Sequence, residues 1–132
     1  MLNYIVVGLG SAVGGVSRYW VSGLIANRFG QAFPWGTVIV NISGCFIIGF
    51  FNTFTGTEGR LLVPPAGRAF FMLGICGGYT TFSSFSLQTL NLANDGEWLQ
   101  AGANILYSVV LCLVGVWLGH LLATMLTPMK GN

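Results

Sequence analysis

Four long apolar stretches, residues 4–26, 35–55, 69–92 and 98–126, alternate with three short polar ones, 27–34, 56–68 and 93–97. Within each long stretch the apolar residues run around all sides instead of alternating with polar ones, which predicts helices and disfavours the strands of a β-barrel. At about 1.5 Å per residue each stretch is long enough to cross a hydrocarbon core of about 30 Å. The expected fold class is therefore an all-α membrane protein with four transmembrane helices, forming one domain over residues 1–132. The first stretch lacks a basic flank and carries Arg18 where a cleavage site would fall, so it is expected to stay in the chain and not to be removed as a signal peptide.

Composition agrees with that pattern: 54% of the residues are hydrophobic and 6% charged, against about a quarter charged in a soluble domain. The connecting segments are too short to build a catalytic domain outside the membrane, so function is sought in the bundle. A net charge of +2 without a basic tract implies no nucleic-acid partner. If both termini share one side, that side holds Arg60, Arg68 and Lys130 and the other holds Arg28, a weak bias toward cytoplasmic termini. Cys45, Cys76 and Cys112 lie within apolar stretches and lack C-x-x-C spacing, so they read as small buried hydrophobes and not as a disulfide framework or metal site.

Twenty glycines are many for such a chain. The spacings Gly10/Gly14, Gly74/Gly78 and Gly115/Gly119 put small residues on one helix face, where backbones can approach closely in lipid. Four helices alone enclose little polar volume, and a polar route is easier to build between two copies, so a homodimer is expected.

The polar residues inside the apolar stretches carry the functional signal. Arg18 is costly two turns from a helix end, and reads either as an interfacial anchor or as a group that attracts an anion. Thr37 and Asn41 are four apart and share a face, and a buried amide needs partners. In "GICGGYTTFSSFS", Gly77 and Gly78 invite a helix break, tolerated at membrane depth only where it is buried in protein or lines a polar cavity. Phe82 and Phe85 are helical neighbours whose ring edges are positive and suit an anion, with Ser83, Ser84 and Ser86 around them. Asn104, Ser108 and Cys112 add a second weakly polar stripe. Amide, hydroxyl and aromatic edge without a buried carboxylate suit a small anion and not a cation.

The blocks "GGVSRYW", "GTVIVNISGCFIIG" and "GICGGYTTFSSFS" resemble the Fluc (CrcB) family of fluoride channels along nearly the whole chain. The resemblance implies passive, selective fluoride export through an antiparallel, dual-topology homodimer in the bacterial inner membrane, whose two copies enclose two pores. It implies that Phe82, Phe85 and Asn41 meet fluoride, that Thr37, Ser83, Ser84 and Ser108 form a polar track, and that Arg18 stands at a pore vestibule. It further implies a structural Na⁺ at the dimer centre, held by the backbone carbonyls of Gly77 and Thr80 from both copies. Relatives commonly carry a glutamate where this chain has Gln88, so a carboxylate's role there does not carry over.

Two other functions lack their chemistry. A proton-coupled drug exporter needs an intramembrane carboxylate, yet Glu58, Asp95 and Glu97 read as loop residues. An intramembrane hydrolase needs a nucleophile motif with an acid partner, and the sole histidine, His120, stands without one.

Overall fold

The computed structural model describes residues 1–128 and is, among them, helical with no strand. Lys130, placed by the charge argument on the side of the termini, lies outside the described residues. Helix α1 spans Leu2–Phe29, α2 Trp35–Phe54 and α6 Trp98–Leu126. Between α2 and α6, α3 (Pro65–Arg68) runs directly into a π-helical segment π1 (Ala69–Cys76) and a last turn α4 (Gly77–Tyr79), followed by α5 (Phe82–Asn94).

Local chemistry sets these limits. Gly30 ends α1 at φ 81° while its N–H donates to the Ala26 carbonyl at 2.8 Å, and Gly96 reverses the chain before α6 at φ 78°. Pro65 opens α3, where a missing N–H removes no helical hydrogen bond. Thr81 caps α5, its hydroxyl accepting from the Ser84 amide at 3.2 Å.

Between α4 and α5 the residues out of helical conformation are Thr80 (φ −84°, ψ 157°) and Thr81 (φ −151°, ψ 118°). Gly77 and Gly78, expected to break the helix, are helical instead. The physical reason is packing: a Cβ on Gly78 would come within 2.9 Å of Ser11 Cα, so this glycine serves close approach to α1. Extended backbone is open to β-branched threonine.

Packing pairs α2 with α6, and α1 with π1 and α4, while α5 lies on α6. The glycine faces sit at those contacts. A Cβ on Gly74 would reach Gly10 Cα at 2.9 Å, and one on Gly119 would reach Phe50 N at 2.8 Å. Few side chains are buried and most are small: Val38, Val40, Ala101 and Ala123 are inside, whereas Trp20, Trp98, Leu113 and Trp117 face outward. Such a surface suits lipid or another protein and not water. Helices α2 and α6 are each long and apolar enough to cross a membrane.

Candidate functional site

The site is built on the two extended residues between α4 and α5. Leaving the helix frees backbone groups that must find partners, and Asn41 of α2 supplies two. Its Nδ2 donates to the Thr81 carbonyl at 2.9 Å, and the Thr81 N–H donates to its Oδ1 at 2.8 Å. A side-chain amide matches both groups of one peptide residue, as a neighbouring strand would. One N–H of Asn41 remains for another acceptor.

This exchange leaves carbonyls behind. In a continuous helix the Thr81 amide would donate to the Gly77 carbonyl and the Ser84 amide to the Thr80 carbonyl. Here those amides donate to Asn41 and to the Thr81 hydroxyl. Gly77 and Thr80 therefore present carbonyl oxygens without their helical donors, and both residues line a cavity of about 450 Å³.

That cavity brings together Asn41, Thr80, Thr81, Phe82, Phe85 and Ser108, and its lining contains no charged residue. The Phe82 and Phe85 rings are 5.3 Å apart and tilted by 55°. Phe85 is buried at 8% exposure while Phe82 stands 76% exposed at the rim. Ser108 is buried and donates to Asn104 Oδ1 at 3.3 Å, and Asn104 donates in turn to Thr89 Oγ1 at 2.9 Å, so a polar chain links α6 to α5.

A second cavity, of about 330 Å³, holds Arg18, Thr37, Thr81, Ser84 and Gln88. Thr81 lines both spaces. Apart from Ser83, the sequence-predicted residues thus fall in two groups that meet at Thr81, and Thr37 and Asn41, though neighbours on α2, line different cavities. Ser83 lines neither; it is exposed, with its hydroxyl 3.4 Å from that of Thr81. Gln88 Oε1 is buried without a hydrogen-bond partner among the described residues.

Thr81 is the residue of this candidate site that sequence reasoning did not single out. Its signal was present as a threonine three residues before Ser84 at the start of a helical stretch, the position of an N-cap. At the far end of α2, Arg68 donates to Asn52 Oδ1 at 2.9 Å and to the Thr55 hydroxyl, closing that helix from α3.

Comparison with known proteins covers this whole architecture. The family model described as CrcB-like protein, Camphor Resistance (CrcB), matches residues 5–120. A protein of Opitutus terrae named Fluoride-specific ion channel FluC is 57% identical over 132 residues, covering all of both chains. Proteins of the same name from Rhodospirillum rubrum and Methylocella silvestris are 58% and 55% identical, covering 95% and 98% of this chain and 97% and 99% of theirs. With its apolar helices and outward apolar surface, this membrane chain belongs to the CrcB family.

Proposed function

We propose that the chain is a fluoride-selective channel, not an enzyme, which crosses the bacterial inner membrane four times and lets F⁻ leave the cell down its electrochemical gradient. Export of this kind limits fluoride toxicity. The observation that carries the reading is the uncharged cavity beside the Asn41–Thr81 pair, lined by amide, hydroxyls and aromatic rings. The identity of the anion comes from full-length relatives named as fluoride-specific channels.

Fluoride is small and strongly hydrated, so a pore must replace its water with close donors. Asn41 keeps one N–H for this, Phe82 and Phe85 offer positive ring edges, and Thr37, Ser83, Ser84 and Ser108 offer hydroxyls. Arg18 raises the local anion concentration at the vestibule. Gln88 presents a donor there when its amide is turned by half a rotation. Larger halides fit poorly in a passage tight enough for these contacts.

The functional unit in this reading is an antiparallel, dual-topology homodimer in lipid. Supporting it are the exposure of Phe82 and the outward apolar surface of the single chain. The broken third helix would meet its copy at the dimer centre. There a Na⁺ held by the Gly77 and Thr80 carbonyls would link the two chains electrostatically, a hard cation on oxygen donors that lack their helical amides.

Expression in bacteria lacking a fluoride exporter tests the reading. The wild-type chain restores growth in fluoride and Phe82→Ile does not. Growth no better than the empty vector, with the protein present in the membrane, would contradict it.

A further inference from the structure

Three cysteines reach one cavity from three elements: Cys45 on α2, Cys76 on π1 and Cys112 on α6 all line the space beside Phe82 and Phe85. All three are free thiols, and Cys45 and Cys112 are only half-buried. Cys45 and Cys112 stand on the two helices of the α2–α6 contact and line the same side of that contact as neighbours of one cavity. The backbones hold them there, because Gly115 and Gly119 let α6 rest directly against Ile42, Phe46 and Phe50 of α2.

We propose that Cys45 and Cys112 form a two-thiol binding site for a soft divalent d¹⁰ cation of the mercuric type, open to the cavity beside Phe82 and Phe85. On binding, two S–H bonds break, two metal–sulfur bonds form, and two protons leave to water. Charge selects the cation: a dication on two thiolates is neutral and tolerable in an apolar cavity, whereas a monovalent ion would leave a net negative charge there. Coordination number selects it too. Among the described residues no group of three or more His, Cys, Asp or Glu side chains is placed to hold a metal. A tetrahedral zinc site therefore lacks ligands, while two thiolates suit a soft cation content with two. The bound metal obstructs the route past Phe85 and Ser108, a consequence that rests on reading this cavity as the ion path; the binding itself does not.

Mercuric chloride titrated into purified protein tests the binding, read as metal retained per chain after desalting, protons released, and the near-ultraviolet sulfur-to-metal band. The expected result is one metal per chain with two protons released, unchanged in Cys76→Ser. Cys45→Ser and Cys112→Ser each weaken binding by about a hundredfold, the loss of a tethered second ligand. Methylmercury, with one open valence, binds the wild-type chain as weakly as mercuric ion binds the single-serine variants, a comparison that needs no variant to fold. Equal affinity of either serine variant and the wild type, or of the two mercurials, would overturn the pair as a site. In liposomes, mercuric ion slows fluoride efflux in the wild type and not in Cys45→Ser. Tight binding with undiminished efflux overturns the obstruction alone, and absence of fluoride efflux before any metal is added points to failure of the channel reading instead.

Discussion

Asn41 and Thr81, forty residues apart in sequence, are joined by two hydrogen bonds of 2.9 and 2.8 Å that satisfy both backbone groups of Thr81. Thr81 lines both cavities, and its pairing with Asn41 supports the chain where it leaves helical conformation. The same bonds release the Gly77 and Thr80 carbonyls. Support of the break and creation of the site are therefore one event.

Replacement of Asn41 by Asp keeps an acceptor for the Thr81 N–H and removes the donor to its carbonyl, leaving two oxygens facing. Loss of one buried hydrogen bond costs about 1–3 kcal/mol. Asn41→Asp is expected to lower the unfolding midpoint in detergent and greatly reduce fluoride flux. An unchanged midpoint would mean that the pair does not hold the break.

The two phenylalanines separate packing from permeation. Phe85 is buried and Phe82 exposed in the single chain, so Phe85→Ile is expected to lose about 1 kcal/mol of stability, and Phe82→Ile almost none. Both are expected to lose most of their fluoride flux. Wild-type flux in Phe82→Ile would remove it from the pore.

Glycines at helix contacts differ from those in open space. Gly74→Ala would set a Cβ 2.9 Å from Gly10 Cα, whereas nothing lies within 4 Å of a Cβ on Gly8. Gly74→Ala is expected to destabilise by about 1–3 kcal/mol, and Gly8→Ala to be neutral or to gain up to about 1 kcal/mol of helix propensity. Thermal unfolding of the two side by side decides it, and equal midpoints would refute the contact.

Arg68 closes the end of α2 with a fork of donors to Asn52 and Thr55. A lysine offers a point charge and cannot reproduce both contacts. Arg68→Lys is expected to cost about 1 kcal/mol with fluoride-over-chloride selectivity unchanged. A change in selectivity would assign Arg68 to the ion path.

The helical character of the chain was legible in its unbroken apolar runs, but not every limit was: α1 runs on to its cap at Gly30 and a helix already starts at Pro65, both inside segments read as polar connections. The small-residue faces were legible by their four-residue spacing. Gly78 was misread because glycine for flexibility and glycine for close approach look alike in sequence, and only Ser11 across the contact separates them; Gly77 is helical as well, without such a neighbour. The Asn41–Thr81 pair and the sharing of one cavity by Cys45 and Cys112 were not legible, since each joins elements that only the tertiary fold brings together. The division of Thr37 and Asn41 between two cavities was hidden for the same reason.

The most direct measurement is anion efflux from liposomes reconstituted with the purified chain, followed with fluoride and chloride electrodes in parallel. The account predicts rapid loss of fluoride while chloride is retained. Retention of fluoride by well-folded protein, or equal loss of both anions, would contradict it.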